Sequence, residues 1–311
     1  MNKKIAVLLM AHGAPESLDD IAAYLQQIMK GRPPAQAIVD QVKERYGLVG
    51  GESPLLAITR QQADAVEKQL NEAASDSQYR VYIGMRHWHP FIAETVKEFL
   101  ADPPEQLIAL SLAPQYSKLS VGAYNETLEK ALAETEGTLP VRWVKSWHNQ
   151  PDLIDAFADR LKAGLAHYPE GERSQVQIVF TAHSLPAEVL ADKDPYPNEV
   201  AGTITEIVKK CDLGPQGGRW QFGYQSRGFR PGEWLGPEVD EIIEDLGNRG
   251  EKHLLVAPIG FVSDHVEILY DIDILYKDMA AAKGIALRRT ESLNTHPSFI
   301  KALAEVVRTY S

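Results

Sequence analysis

The sequence repeats itself, and this repeat limits the folds that the chain can adopt. The run from Leu8 to Pro15 resembles the run from Val179 to Pro186, since each is an apolar stretch that ends in Ala-His-x-x-Pro. Further along, the segment 110–114 resembles the segment 254–258, and both end in Ala-Pro. Internal similarity of this kind reveals a repeated structural unit before any single motif does.

Two more pairs of segments follow the same order in the two halves. Residues 82–86 lie between the first and second landmarks of one half, and residues 220–224 lie between those of the other. Lys145-Ser146 precedes a proline and an isoleucine at the same spacing as Glu291-Ser292 does. Four matches in one order predict two halves with the same fold.

Each landmark is a short apolar run that ends at a glycine, a proline or a polar residue, which is typical of a strand buried on both faces. Apolar residues spaced three and four apart predict helices between these strands. Strands that alternate with helices favour an α/β fold with a parallel sheet. The predicted helices cover 21–28, 55–70, 91–100, 124–133, 153–165 and 200–211.

We therefore predict two similar Rossmann-like lobes, each a parallel sheet of about four strands flanked by helices. The expected boundaries are 1–150 and 151–311, with a terminal helix at 298–309 that packs across the boundary. Ligands of such sheets bind at the carboxyl ends of the strands, so a cleft between the lobes is the expected site. A glycine-rich dinucleotide fingerprint does not follow the first strand.

Charge and cysteine content exclude several classes of function. The 311 residues include 43 acidic and 32 basic side chains, a net charge of −11 that argues against nucleic-acid binding. Cys211, the only cysteine, excludes a disulfide framework and a cysteine-ligated iron–sulfur cluster and fits a reducing cytoplasm. The longest apolar run, Ile5 to Ala11, falls far short of the about 20 residues of a membrane span.

Two histidines occupy equivalent strand ends in the repeat. His12 follows the first apolar run and His183 follows its counterpart, so both are expected at the cleft. Pro186 prevents a helix from starting directly after His183. Loops at strand ends carry function on a rigid scaffold, which favours His183 as a site residue over a structural histidine.

A cluster of acidic residues follows the later Ala-Pro landmark, between Gly260 and Asp273. If a helix begins near Ser263, then Asp264, Glu267 and Asp271 share one face at i, i+3 and i+7, with Ser263 as its cap. Acids in a first turn also complement the helix dipole, which would explain Asp264 but not Asp271. The pattern predicts a metal path or a paired acid and base.

Histidine and carboxylate ligands without a thiolate suit Fe(II), Zn(II) or Co(II) in passage rather than a closed structural zinc site. Histidine accepts protons near neutrality. We expect burial to raise the pKa of Glu267 towards the same range.

Five motifs in the chain resemble the ferrochelatase family, and the likeness extends over essentially the whole chain. It is strongest to the soluble coproporphyrin III ferrochelatases of Gram-positive-type bacteria. Lys193 departs from the pattern, because the family usually has glycine before Asp-Pro-Tyr. The motifs lie at 180–186, 193–197, 224–226, 234–237 and 260–267.

The resemblance implies a class II chelatase-like fold and a lyase that inserts Fe(II) into coproporphyrin III, giving coproheme and two protons in haem biosynthesis. It implies that Fe(II) is a substrate, with no permanently bound cofactor and no iron–sulfur cluster. A cytoplasmic monomer without nucleic-acid or membrane partners is expected, which hands coproheme to a coproheme decarboxylase.

Roles carried over from the family fall on residues of the second half. His183 and Glu267 are implied to bind the entering Fe(II) and to take protons from the pyrrole nitrogens. Asp271, one turn further, would continue the carboxylate path. Leu275 stands where the coproporphyrin type often has another acid.

Other matched positions are implied to bind the porphyrin. The family's arginine near the end of the first predicted helix falls on Met29, so Lys30 or Arg32 would replace it. Trp234 is implied to form a wall of the cleft, and Tyr196 is a further porphyrin-binding candidate. The residues implied to hold propionates are Arg45, Tyr46, Ser53 and Tyr124.

His12 is a departure from the closest family members, which commonly have tyrosine at this strand end as a ligand of the product iron. Because histidine is also an axial haem ligand, we predict that His12 coordinates coproheme iron on the face opposite His183. The alternative is a histidine that orients the substrate.

Four other functions can be weighed from the sequence. One is a protoporphyrin IX ferrochelatase, and another is a sirohydrochlorin or cobalt chelatase, which would lack the segment around Trp234. A non-catalytic haem or tetrapyrrole carrier would need His12 but not Glu267. A two-domain sugar- or metal-binding protein would normally carry an export signal, which we do not find in the sequence.

Overall fold

The computed structural model describes residues 2–135, 137–216, 219–228 and 231–311. The chain forms two compact units. The first unit consists of Met1–Asp152 and Asn294–Ser311, and the second of Leu153–Leu293. The sequence assigned 294–311 to the second half and expected the helix 298–309 to pack across the boundary. The structure places 294–311 in the first unit, so the boundary differs but the helix does leave the second half.

The sheet of the first unit has four parallel strands in the order β2-β1-β3-β4. Strand β1 is central, and its residues from Ile5 to Ala11 are all buried, as expected of a strand with helices on both faces. The strands are β1 (Lys3–Ala11), β2 (Ser77–Met85), β3 (Gln106–Ser111) and β4 (Val141–Val144).

The sheet of the second unit repeats this order as β6-β5-β7-β8, and again all its pairs are parallel. Each sequence landmark falls on the equivalent strand or its carboxyl end. The predicted fold of two similar α/β lobes is therefore confirmed. The strands are β5 (Gln177–His183), β6 (Trp220–Gln225), β7 (His253–Pro258) and β8 (Ala286–Arg289).

The described residues of the first unit form six α-helices on its sheet, and the last of them comes from residues 297–310. Phe299 of this helix is fully buried and stacks on Trp147, with ring centroids 6.1 Å apart. Lys301 bonds Asp152 through its ammonium group at 2.7 Å. These contacts explain why the terminal helix belongs to the first unit. The helices are α1 (Ile21–Ile28), α2 (Gln36–Leu48), α3 (Leu55–Ala73), α4 (Ile92–Leu100), α5 (Ala123–Ala133) and α12 (Pro297–Tyr310).

Most helices of the second unit lie between successive strands of its sheet. A π-helical turn, Asp271–Tyr276, interrupts the helical stretch that follows β7. Among the described residues, no helix has both the length and the apolarity to cross a membrane. The helices are α6 (Pro151–Ala166), α7 (Glu188–Ala191), α8 (Tyr196–Cys211), α9 (Val239–Asn248), α10 (Val266–Tyr270) and α11 (Lys277–Ala282).

Candidate active site

His183 is the last residue of β5, and the backbone around it is fixed by hydrogen bonds. The hydroxyl group of Tyr196 donates to the His183 carbonyl oxygen at 2.9 Å. The next amide, that of Ser184, donates to the carbonyl oxygen of Gln225 at the end of β6, at 2.7 Å. The imidazole is therefore carried on a rigid strand end rather than on a mobile loop.

The hydrogen bonding of the His183 ring decides which nitrogen is basic. Nδ1 contacts the Ser184 carbonyl oxygen, which can only accept, so Nδ1 carries the proton. Nε2 lies 3.5 Å from Oε2 of Glu267. When His183 is neutral, the lone pair is therefore on Nε2, the ring nitrogen that faces the Glu267 carboxylate. The structure brings together the two residues that the motifs singled out.

A second imidazole approaches the same carboxylate. Nε2 of His265 lies 3.7 Å from Oε2 of Glu267, and its Nδ1 bonds the Ser263 carbonyl oxygen at 3.0 Å. The ring of Phe261 contacts both histidines, with centroids 6.0 Å from His183 and 4.5 Å from His265. Sequence reasoning missed His265, although it stands only two residues before Glu267.

A glycine lets the loop after β7 come close to β5. A Cβ atom on Gly260 would lie 2.8 Å from the Cα of Ala182, closer than real Cβ contacts come. The amide of Ile259 donates to the Thr181 carbonyl oxygen at 2.8 Å, which pins the loop there. Any side chain at position 260 would push the loop with His265 and Glu267 away from the end of β5.

Coulombic coupling sets the protonation of the pair. Burial works to lower the pKa of His183, but the charge of Glu267, the Ser184 carbonyl and the charge of Asp271 outweigh burial and raise it. Burial works to raise the pKa of Glu267, but His183 and then His265 hold it well below its usual value. The expectation of a raised pKa for Glu267 was wrong, because two imidazoles favour its charged form.

The helix that carries Glu267 begins later than the sequence predicted. His265 has an extended backbone, with φ −160° and ψ 176°, and α10 starts at Val266. Ser263 is therefore not its cap. Asp264 precedes the helix and bonds Arg289 at 3.1 Å, so it does not share a helical face with Glu267. The predicted row of three acids on one face was wrong.

A chain of buried hydrogen bonds ends at Asp271. The Thr181 hydroxyl donates to Oε1 of Gln225 at 2.5 Å, and Nε2 of Gln225 donates to the Ser226 hydroxyl oxygen at 3.1 Å. The Ser226 hydroxyl in turn donates to Oδ2 of Asp271. All three donors point the same way, so the chain orients the Asp271 carboxylate and stabilises its negative charge.

The described residues hold no group of three or more His, Cys, Asp or Glu side chains arranged to bind a metal ion. Asp271, which was expected to continue the carboxylate path, is not part of such a group. The Nε2 atom of His183 and the Glu267 carboxylate provide two ligand atoms.

Tyr196 and Trp234 lie beside this centre within the second unit. Tyr196 is buried and starts α8, where Oδ1 of Asp194 accepts its amide at 3.0 Å. Burial raises the pKa of Tyr196, so its hydroxyl keeps the proton that it donates to His183. Trp234 is half-buried and pairs with Pro186 through an isolated β-bridge, three residues after His183.

His12, at the end of β1 in the first unit, is exposed and stands among aromatic rings. Its ring centroid lies 4.6 Å from that of His87 and 6.4 Å from that of Tyr24. Burial, then the charges of His12 and Arg86, lower the pKa of His87 to about 3. His87, which the sequence reasoning missed, is therefore neutral near pH 7. Its amide also donates to the His12 carbonyl oxygen at 2.9 Å.

The backbone after His12 makes a tight turn against the loop that follows β2. Gly13 has φ +87°, and a Cβ atom there would lie 2.9 Å from the amide nitrogen of Trp88. The hydroxyl of Tyr24 donates to the Gly13 carbonyl oxygen at 3.3 Å. This packing fixes the position of His12 at the strand end.

The residues implied to hold propionates all lie in the first unit, but they differ in exposure. Arg45 is half-buried near the end of α2, and its neighbour Tyr46 is buried. Ser53 is buried, and its hydroxyl oxygen accepts the Leu55 amide at 3.4 Å as α3 begins. Tyr124 is also largely buried, with only 7% of its surface exposed.

Lys30 and Arg32 are both exposed, just after α1. Lys30 has a left-handed backbone, with φ +55°, directly after Met29. Both side chains can therefore reach an anionic ligand from the surface of the first unit.

Comparison with known proteins assigns the family. The ferrochelatase family model matches residues 4–311. The chain belongs to the ferrochelatase family. A ferrochelatase from Deinococcus radiodurans is 42% identical over 305 residues, which covers 98% of this chain and 95% of the relative. A coproporphyrin III ferrochelatase from Oceanobacillus iheyensis is 39% identical over 306 residues, 98% of this chain and 96% of the relative.

A solved structure shows the same fold at a greater evolutionary distance. SirB from Bacillus subtilis, solved with Fe³⁺, has a TM-score of 0.59 at 11% identity, and the match covers 99% of this chain and 95% of SirB. The chain therefore shares the fold of SirB, a chelatase with two similar α/β lobes. As a member of the ferrochelatase family it is a metal-inserting lyase.

The chemistry of the site suits a ferrochelatase. Metal insertion requires a place for a divalent ion and acceptors for the two protons that leave the macrocycle. A neutral Nε2 and a carboxylate 3.5 Å apart offer atoms both for the ion and for the protons. Nε2 can accept iron or a proton only while His183 is neutral, and the raised pKa of His183 favours its protonated form.

Proposed function

We propose that this ferrochelatase inserts Fe(II) into coproporphyrin III, giving coproheme and two protons. Relatives named coproporphyrin III ferrochelatase support this substrate, at 37–39% identity over nearly the whole chain. The relative from Deinococcus radiodurans is named simply a ferrochelatase, which makes protoporphyrin IX the alternative substrate.

The two substrates differ in charge at the rim of the ring. Coproporphyrin III carries four propionates, and protoporphyrin IX carries two propionates and two vinyl groups. The net charge of −11 does not prevent the binding of a tetra-anion, because charges are screened beyond about 8 Å at physiological ionic strength. The local basic residues Lys30, Arg32 and Arg45 therefore matter more, and we assign them to the propionates together with Tyr46, Ser53 and Tyr124.

We assign iron binding and proton removal to His183 and Glu267. The observation that carries this assignment is the 3.5 Å approach of Nε2 of His183 to Oε2 of Glu267, with Nδ1 occupied by the Ser184 carbonyl. Asp271 acts through its charge, which helps to raise the pKa of His183. Its carboxylate is already held by the Ser226 hydroxyl.

Ring distortion makes the porphyrin nitrogens accessible. In a flat porphyrin the lone pairs and the N–H bonds lie in the plane of the ring, so a metal ion approaching from above cannot reach them. Contacts to the propionates and to the ring faces, with Trp234 as one assigned wall, can supply the strain energy, about 1–5 kcal/mol in enzymes that bend their substrates. Iron then enters as the two protons leave to His183 acting with Glu267.

We assign His12 as an axial ligand of the iron in coproheme. The exposure of His12 at the end of β1 supports this role, because a side chain that coordinates haem iron must be accessible and held by a rigid part of the fold. The neighbouring His87 is neutral, so it does not repel the metal.

Iron insertion into both porphyrins by the purified protein tests the proposal. We expect kcat/KM for Fe(II) insertion to be higher with coproporphyrin III than with protoporphyrin IX under identical anaerobic conditions. A preference for protoporphyrin IX would overturn the substrate assignment. Tight binding of both porphyrins or of their iron complexes without any insertion would instead indicate a carrier.

A further inference from the structure

Arg289 lies outside every sequence motif, yet it contacts the segment that carries Glu267 at two points. Nη1 donates to Oδ1 of Asp264 at 3.1 Å. Nε and Nη2 donate to the two oxygens of Asp273 at 2.9 and 2.8 Å, a two-pronged pair that matches the planar guanidinium. Glu267 lies between these two aspartates in the sequence.

The segment that Arg289 contacts begins a longer helical stretch. Helix α10 (Val266–Tyr270), the π-helical turn (Asp271–Tyr276) and α11 (Lys277–Ala282) follow one another without a break. Ile268 and Ile272 bury the apolar side of this stretch in the core of the second unit. Arg289 adds polar contacts at two places, to the extended residues before Val266 through Asp264 and to the helical stretch itself through Asp273.

Arg289 itself is firmly anchored. It is the last residue of β8 and pairs with Val256 of β7. Its side chain is only 12% exposed, and Nη1 also donates to the Thr290 carbonyl oxygen at 3.1 Å. The hydroxyl of Ser292 donates to the same oxygen of Asp264 at 2.7 Å. The sheet thus supplies a fixed point from which the guanidinium reaches both aspartates.

The positive charge of Arg289 separates two carboxylates that would otherwise repel each other. Two carboxylates, those of Asp264 and Asp273, converge on one cation, and both are partly buried. Without the cation they would repel each other and lose the hydrogen bonds from Arg289, although Asp264 would keep the one from Ser292, and the segment between them would shift. A shift of this segment moves Oε2 of Glu267 away from His183, which β5 and Tyr196 hold in place.

We propose that Arg289 is a positioning residue for metal insertion: it clamps the segment 264–273 to the sheet and so holds Glu267 against His183. The proposal rests on the roles assigned to His183 and Glu267 under the proposed function. Arg289 touches no reacting atom in this scheme and acts through Asp264 and Asp273.

The first test separates turnover from porphyrin binding. Arg289→Lys keeps the charge but cannot make the two-pronged contact, so we expect kcat to fall about 10–100-fold, as for partners that orient metal ligands. The Kd for porphyrin, followed by fluorescence, should stay within about twofold. Asp264→Asn and Asp273→Asn each weaken only one of the two contacts of Arg289, so each should lower kcat less than Arg289→Lys does. Asp273→Asn combined with Arg289→Lys should lower kcat little further, because both changes weaken the same contact.

Arg160→Met is the matched control. Arg160 belongs to the same unit and forms an ion pair with Glu291, two residues after Arg289. This ion pair does not involve the segment 264–273. We expect its kcat to be unchanged. If Arg289→Lys keeps wild-type kcat per folded molecule, or loses porphyrin affinity in proportion to kcat, the clamp is refuted. Arg289→Met would be the severest variant, and should it fail to fold, the lysine and asparagine variants still decide.

The second test does not depend on the substrate. Amide hydrogen exchange in 266–276 should become about tenfold faster or more in Arg289→Lys than in the wild type or in Arg160→Met. Unchanged exchange would refute the clamp even if the wild-type protein prefers protoporphyrin IX. Conversely, faster exchange in a protein that does not use coproporphyrin III would support the clamp and reject only the substrate assignment.

Discussion

Nε2 of His183 lies 3.5 Å from Oε2 of Glu267, and the proton on the opposite ring nitrogen is committed to the Ser184 carbonyl. This relationship places one ring nitrogen beside one carboxylate, and it is to this pair that we assign both iron and protons. It also couples their charges, since each residue shifts the pKa of the other towards the ion pair.

The coupling predicts the pH dependence of insertion. The pKa of His183 is raised, and only its neutral form can accept iron or a proton, so kcat/KM should increase as the pH rises through that pKa. In Glu267→Gln the stabilising charge is gone, and the acid limb of the residual activity should move to lower pH. Measurement of kcat/KM against pH for both proteins checks this, and an acid limb at the same pH in both would contradict it.

His12 predicts a spectroscopic signature. If its imidazole coordinates coproheme iron, His12→Ala should shift the Soret and visible bands of the bound product, because loss of an axial ligand changes the ligand field. His167→Ala, a histidine of the other unit after α6, is a control that should leave the spectrum unchanged. Identical spectra for wild type and His12→Ala would exclude axial ligation by His12.

The buried chain from Thr181 to Asp271 predicts a stability cost. Thr181→Val keeps the shape of the side chain but leaves Oε1 of Gln225 without its donor, which should lower the free energy of unfolding by about 1–3 kcal/mol. Thr59 is equally buried but donates to the Leu55 carbonyl of its own helix, so Thr59→Val should cost less than about 1 kcal/mol. Urea unfolding of both variants checks the difference, and equal costs would contradict it.

The fold could be predicted because buried parallel strands leave a strong local signal. Each central strand, such as β1 or β5, is a continuous apolar run, and its repetition in the second half fixes the equivalence of the two sheets. The unit to which the terminal helix belongs could not be predicted in this way. That choice depends on contacts such as Phe299 with Trp147, which are distant in sequence.

The candidate site was predictable in its residues but not in its geometry. His183 ends β5, and Glu267 lies in the helix that follows the neighbouring strand β7, so the topology favours their proximity. The start of α10 was misplaced because Asp264 is neutralised by Arg289, 25 residues away, and not by a helix terminus. The pKa of Glu267 was misjudged because His265, two residues before it, points at the same carboxylate.

The comparison of insertion and binding in Glu267→Gln tests the role of the His183–Glu267 pair most directly. Glu244→Gln, an exposed acid that pairs with Lys283 in the same unit, is the matched control. We predict that Glu267→Gln binds coproporphyrin III as the wild type does but inserts Fe(II) about 100-fold more slowly or worse, as expected when a general base is lost. Insertion at the wild-type rate in Glu267→Gln would contradict the assignment of iron and proton handling to this pair.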